Sequence, residues 1–239
     1  VSGGTVKHML GLKCIHDIVV NAMEYLHIDV PVALHLDHGT SREACEAAIA
    51  AGFSSIMFDG SHLPFRENLA ITRHLVTLAH SKGISVEAEL GTIAGSEDGI
   101  VNSEVIYADP QECYTLVTET QVDCLAAALG STHGLYKGKA RLGFTEMKAI
   151  AEQVKVPLVL HGGTGIADED MRRAIACGTA KINVNTENMY AWCQQVKAIF
   201  AADTGHDVND PRKVIAQGLQ PVREMIARRM ALFGSEQRY

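Results

Sequence analysis

The sequence predicts an α/β protein of the (β/α)8, or TIM-barrel, class, and three observations carry that expectation. Short runs of strand length alternate with segments of helical periodicity along most of the chain. Those runs are apolar on both faces, as strands of a parallel sheet covered on two sides must be. Polar groups then end six of them: Asp37 and His38, Asp59, Glu89, His133, His161, and Asn183 with Asn185. An open doubly wound sheet serves its ligand from two or three strands at one switch point, whereas a barrel gathers residues from most of its strands on one face. Six polar strand ends favour the barrel.

The elements follow in order. Residues 5–28 place Val6, Leu10, Ile18, Val19, Ala22, Met23 and Leu26 at helical spacing, and Pro31 interrupts before the strand VALHLD at 32–37. Helix 41–51 and strand 54–59 come next, then helix 65–82 with strand 84–90, and helix 110–120 with strand 124–129. Helix 144–154, strand 157–161, helix 168–177 and strand 180–185 complete the alternation, and two long helices, 187–202 and 211–232, close the chain. Six βα units are two short of a barrel, and the opening VSGG looks like a strand end and loop. The expectation is one barrel domain over residues 1–239 that lacks its first strand, helix and strand, about 50 residues at the usual size of such units.

Composition narrows the function. Hydrophobic residues make up 47% of the chain and aromatics 5%, which suits layers of aliphatic side chains in an α/β enzyme. A formal charge of −7 without Lys/Arg runs excludes a broad nucleic-acid surface, which needs basic stripes to displace phosphate counterions. A phosphate held locally by backbone N–H groups stays open. The six cysteines have no CxxC pairing, so neither a disulfide framework nor a thiolate zinc site is indicated, and reduced thiols are expected. No apolar run approaches the ~20 residues of a membrane span and no cleavable leader is visible, so a soluble, cytoplasmic protein without membrane or nucleic-acid partners is expected.

The chemistry lies in His38, His133 and His161, which stand at or just past strand ends in LHLDHG, ALGSTHG and LVLHGG, each before a glycine. A catalytic zinc site uses three protein ligands and keeps one position open, so three histidines on converging strand ends have the right number and type. One lone histidine is more often a hydrogen-bonded core or surface residue; recurrence at three equivalent positions reverses that reading. The other eight histidines lack it. Asp37, next to His38, is a proton shuttle if the strand end bends, or else a carboxylate serving a helix start or a metal ligand. Asp59 and Glu89 either bind a second cation or orient the histidines, with Glu87 on the same strand face as a weaker candidate. The glycine-rich GTIAGSEDG at 91–99 reads as a lid whose Glu97 is a general base or, alternatively, a solvated loop carboxylate. HGGTG at 161–165 and NVNT at 183–186 each precede a helix, as a phosphate cradle does, although glycines also simply make turns.

Jointly, LHLDHG, FDGSH, VEAELGTIAGSEDG, YADP, ALGSTHGLYKG, LVLHGGTG and KINVNTEN resemble the class II, zinc-dependent ketose-bisphosphate aldolases over essentially the whole chain, most closely the fructose-1,6-bisphosphate type with tagatose-1,6-bisphosphate aldolase as a near relative. The resemblance implies a glycolytic lyase of carbohydrate metabolism that reversibly cleaves fructose 1,6-bisphosphate to dihydroxyacetone phosphate and glyceraldehyde 3-phosphate. It implies zinc on His38, His133 and His161, a second divalent metal on Asp59 and Glu89, a monovalent cation near the phosphate site, and a homodimer or homotetramer. Asp37 matches the proton carrier at the C4 oxygen, and Glu97 the lid carboxylate that takes the C3 proton. Gly134, Gly162, Gly163, Thr164, Asn183 and Thr186 match the triose-phosphate positions, and the substrate segment runs through Val184 and Asn185. Asn185 stands where some fructose-specific relatives have Asp and tagatose-type ones often a small residue, so a tagatose or other phosphorylated ketose is the alternative substrate. An inactive or regulatory barrel fragment is the alternative of another kind. No lysine Schiff base is implied, and Lys181 reads as structural.

Overall fold

Caps and breakers decide where the elements begin and end. The computed structural model describes residues 1–97, 100–102, 106–134, 136, 138–203 and 208–236. The helix expected over 5–28 is two helices, α1 (Gly3–His8) and α2 (Leu12–Tyr25), because Leu10 (φ 62°) and Gly11 (φ 105°) take left-handed backbone between them. Glycine adopts such a φ without a Cβ penalty, so the break falls there. Then come β1 (His35–Gly39), α3 (Arg42–Ala50), β2 (Ser55–Phe58), α4 (Phe65–His80) and β3 (Ser85–Leu90). A small excursion, β4 (Ala94–Glu97) and β5 (Ile100–Asn102), precedes α5 (Pro110–Thr120), β6 (Cys124–Ala127) and β7 (Thr132–His133). The chain continues through α6 (Phe144–Val154), β8 (Leu158–Leu160), α7 (Asp168–Ala176), β9 (Thr179–Ile182), α8 (Thr186–Ala202) and α9 (Pro211–Phe233).

The helix starts are chemically marked. Ser41 Oγ accepts from the Ala44 N–H at 3.1 Å, and Asp109 Oδ1 accepts from Gln111 and Glu112 at 2.9 Å. Pro110 and Pro211 occupy first-turn positions, where the missing N–H is not needed. Each such cap contributes about 1 kcal/mol.

Six parallel strands form the main sheet in the order β1-β2-β3-β6-β8-β9, every neighbour being the next main-sheet strand in the chain. That is the topology of a barrel wall, and the wall curls. Asn183, just past β9, donates to Asp37 of β1 at 3.0 Å, so the two outer strands meet at their carboxyl ends. Val1 and Ser2 pair beside β1: Asp37 N–H donates to Val1 O at 2.9 Å, and Ser2 bridges Asp37 in parallel, as a strand end does.

Alternation along the strands builds two cores. Ile56 and Phe58 face the helices and belong to the large outer core, while Met57 between them joins Ala126 and Val159 in a small inner one. Each fully buried large side chain of the outer core contributes about 1.5–3 kcal/mol. The inner face is otherwise polar, with Glu87, Glu89 and His161 all buried.

Sequence patterning missed the second sheet, ordered β5-β4-β7, in which β4 pairs antiparallel with β5 and parallel with β7. These strands are four residues or fewer, too short to show a period. The segment read as a glycine-rich loop is therefore a hairpin docked on His133. No helix among the described residues is long and apolar enough to cross a membrane.

Candidate metal centre and substrate cleft

In a regular strand, Asp37 and His38 would point to opposite faces. The structure turns both inward by distorting β1: His38 has φ 50°, and the β1–β2 register shifts between Leu36 and Gly39. A left-handed non-glycine residue costs about 1–3 kcal/mol, strain of the kind that clusters at functional sites. His133 arrives on β7, its backbone paired with Gly95 of β4, and His161 follows β8 directly.

The three rings converge. Centroids lie 5.0 Å apart for His38 and His133, 4.6 Å for His38 and His161, and 5.9 Å for His133 and His161. One nitrogen from each falls within 4.8 Å of the other two. Tetrahedral zinc at 2.0–2.1 Å from each nitrogen spaces its ligands by about 3.4 Å, so modest ring rotations make a zinc site. Three imidazoles, one short of a tetrahedral set, match the donors of a catalytic zinc site.

Carboxylates assign the tautomers of two of these histidines. His38 Nδ1 lies 2.9 Å from Asp59 Oδ2, and since a carboxylate only accepts, Nδ1–H donates and Nε2 is left for the metal. His161 Nε2 lies 2.8 Å from Glu87 Oε1, so Nε2–H donates and Nδ1 is left. Such a carboxylate fixes the orientation of its imidazole and would raise its basicity toward a metal. Burial pushes the His161 imidazolium down, which keeps the ring neutral and able to ligate.

The carboxylates themselves differ. Burial opposes the charge on Asp59, but hydrogen bonds from His38 and Ser61 outweigh it and hold the carboxyl down to about 2. Burial opposes Glu87 too, and His161 and Lys181 overcome it, holding its carboxyl well below the usual range. Among the described residues Glu89 Oε2 has no hydrogen-bond partner, and His38 Nδ1, 3.7 Å away, offsets its burial only in part. Burial, then the neighbouring Asp59 charge, push it well above the ordinary value. His38, Asp59 and Glu89 also offer ligand atoms within 4.8 Å of one another, so the same geometry can orient His38 or hold a second cation.

A cleft of about 780 Å³ opens at this end of the barrel. Asp37, His133, His161 and Asn183 line it at the metal end; Gly134, Gly162, Thr164 and residues 184–186 line it from the loops after β7, β8 and β9. Gly162 has φ 65°, and a Cβ there would lie 2.2 Å from Thr132 O, so only glycine lets this loop pass. Gly163 takes a different part: its N–H donates to Asn183 O at 3.0 Å, tying the β8 and β9 loops together. Asn185 precedes α8 without a side-chain cap bond, and Thr186 begins that helix. The side chain of Glu97 lies outside the described residues.

Three residues that sequence reasoning set aside or ranked low belong to the site. Glu87 is fully buried and bonded to His161. Lys181 donates to Glu87 Oε2 and to Asn183 Oδ1, each at 2.8 Å. His35 Nδ1 lies 2.8 Å from Ser55 Oγ, and burial, then Lys181, push its imidazolium down to about 4. The available signal was position: each stands two residues before a site residue (Glu89, Asn183 and Asp37) and so shares its inward face, one layer deeper.

Comparison with known proteins agrees with this geometry. The family model described as fructose-bisphosphate aldolase class-II matches residues 1–238. The fructose-bisphosphate aldolase of Geobacillus stearothermophilus is 52% identical over 235 residues, spanning 98% of this chain and 81% of that protein. That of Staphylococcus aureus is 50% identical over 238 residues, spanning 100% and 82%. Among solved structures, the YdjI aldolase from Escherichia coli K12 superposes with a TM-score of 0.83 at 33% identity, over 99% of this chain and 81% of that one.

Proposed function

Since the chain belongs to the class-II fructose-bisphosphate aldolase family, we propose that it reversibly cleaves fructose 1,6-bisphosphate to dihydroxyacetone phosphate and glyceraldehyde 3-phosphate with His38, His133 and His161 as zinc ligands. One observation carries the assignment: one nitrogen from each of three imidazoles at separate strand ends lies within 4.8 Å of the other two, and His133 and His161 line the cleft. Zinc, when bound there, polarises the ketose carbonyl and offsets the negative charge that develops as the carbon–carbon bond breaks.

The chain's own groups move the protons. In cleavage, Asp37 accepts the C4 hydroxyl proton, the C3–C4 bond breaks to release the aldehyde, and its electron pair stays with the triose phosphate. Glu97 returns a proton to C3, and both transfers reverse in synthesis. Asn183 holds Asp37 by its amide N–H, 3.0 Å from the carboxylate. Gly134, Gly162, Thr164, Asn183, Val184, Asn185 and Thr186 bind the triose phosphate in the cleft they line, with Gly163 holding the two loops together. The first turn of α8 supplies a favourable dipole for that anion.

Asp59 and Glu89 take a second divalent cation, supported by their geometry with His38, and the phosphate loops take a monovalent one. The protein works as a homodimer or homotetramer; exposed Met189, Tyr190, Phe200 and Ile226 on α8 and α9 support burial against a second copy. Six free thiols support a cytoplasmic location.

The test is turnover of fructose and tagatose 1,6-bisphosphates by the zinc-loaded chain, with and without a chelator. Cleavage that prefers fructose and stops on chelation is expected. Turnover that ignores the chelator removes the metal from the mechanism, and no turnover with zinc bound overturns the assignment.

A further inference from the structure

We propose that Lys181 is a positioning residue of this site: one ammonium orients Asn183 to hold Asp37 for proton transfer, and orients Glu87 to leave His161 Nδ1 facing the metal. The proposal rests on the aldolase reading above and deepens it.

Lys181 sits on β9 with its side chain at the cleft, 35% exposed, and reaches two acceptors at 2.8 Å, Glu87 Oε2 and Asn183 Oδ1. An ammonium has three donors and no acceptor, so the Asn183 atom facing it must be the carbonyl oxygen. The amide NH2 then faces the other way, 3.0 Å from Asp37 Oδ1 and 3.2 Å from His161 Nδ1. A flipped amide would set its oxygen against the Asp37 carboxylate and its NH2 against the ammonium, two like-signed contacts. Lys181 thereby decides that Asp37 is held by a donor.

The second branch runs through Glu87. Its Oε2 takes Lys181, which leaves Oε1 for His161 Nε2–H at 2.8 Å. Glu87 is fully buried, and the other groups at Oε2, His35 Nε2 and the Cys124 thiol, each lie 3.7 Å away. Burial, then Lys181, depress the charge on His35, which leaves Lys181 as the fixed cation of this carboxylate. One lysine therefore serves both the proton carrier and a metal ligand. Its Nζ is committed to two acceptors, an arrangement suited to holding side chains and not to attacking a carbonyl.

The experiment uses the full chain at saturating zinc. Lys181→Met should lower kcat about 10–100-fold with KM for fructose 1,6-bisphosphate changed by less than about threefold, and chelator competition should show zinc affinity down about tenfold. In an Asn183→Ala background the same substitution should lower kcat by no more than about twofold further, because the residue it acts through is gone. Full multiplicative losses in that background, or a Lys181→Met enzyme with unchanged kcat, overturn the proposal. Should Lys181→Met fail to fold, Lys181→Gln carries the test. It keeps an N–H donor for Asn183 Oδ1, so kcat should stay within about threefold of the parent while zinc affinity falls, and a kcat loss equal to that of Asn183→Ala overturns the proposal. Absence of turnover in the unsubstituted chain overturns the aldolase reading instead, and the role of Lys181 is then decided by the zinc titration alone.

Discussion

Glu87→Gln separates metal binding from folding, and the structure says why. Glu87 has no exposed surface and accepts hydrogen bonds from His161 Nε2 and Lys181 Nζ, both at 2.8 Å, and a weaker one from the Cys124 thiol at 3.7 Å. Glutamine keeps the shape but offers one acceptor oxygen and one donor NH2 in place of two acceptors. Lysine can only donate, so the oxygen turns to Lys181 and the NH2 to His161. The ring satisfies that NH2 only by accepting at Nε2, which moves its proton to Nδ1, the atom left for zinc. The hydrogen bonds of residue 87 to His161 and Lys181 survive in the zinc-free protein, but the proton on Nδ1 now faces the Asn183 NH2 3.2 Å away, and the tautomer is wrong for ligation. A partner of this kind is worth about 10–100-fold in metal affinity, or about 1.4–2.8 kcal/mol, in line with about 1.5–3 kcal/mol for a charge-assisted hydrogen bond. Chelator competition measures the affinity, and imidazole nitrogen shifts in the zinc-free protein report the tautomer. Zinc affinity within threefold of the parent, or a proton still on Nε2, would refute the reasoning.

Other expectations follow from the same geometry. Asp37→Ala should lower kcat about 10²–10⁴-fold while zinc content by metal analysis stays unchanged, and parallel loss of metal would make Asp37 a ligand instead. Gly162→Ala sets a Cβ 2.2 Å from Thr132 O at φ 65° and should cost about 1–3 kcal/mol in denaturant melts, with weaker zinc binding through the adjacent His161. In the zinc-free protein, the Asp59 carboxyl is held down to about 2 from 3.8, so its stabilisation is present above pH ~4 and lost as pH falls toward ~2. That shift corresponds to about 2 kcal/mol, and acid melts of Asp59→Asn should lack this loss over the same window; identical curves would remove the assignment.

Most of the fold was legible because it repeats. The main-sheet strands and the helices between them fall within a few residues of their periodic patterns, and α6 matches 144–154. Strand VALHLD was placed early: β1 starts at His35, and ordering continues past Asp37 through a distortion that no propensity signals. The break at Leu10 and Gly11 hid inside an apolar stripe that runs on helical spacing across it. The segment at 91–99 read as a lid by its glycines, but its pairing with Thr132 and His133 depends on backbone hydrogen bonds to a segment far along the chain.

The convergence of the three histidines was legible for a related reason. In a parallel sheet the carboxyl ends of all strands share one face, so a residue type recurring at strand ends is a statement about one place in space. What the sequence determined by itself was thus the architecture, the inward-facing sets and the three imidazoles. The tertiary structure alone decided which partner each inward group meets: Glu87 with His161 and Lys181, Asp59 with His38, and Asn183 with Asp37. Period-two alternation specifies the face a side chain takes but not its neighbour across the barrel. That neighbour depends on strand stagger and on the bend at His38, both set by packing the whole sheet.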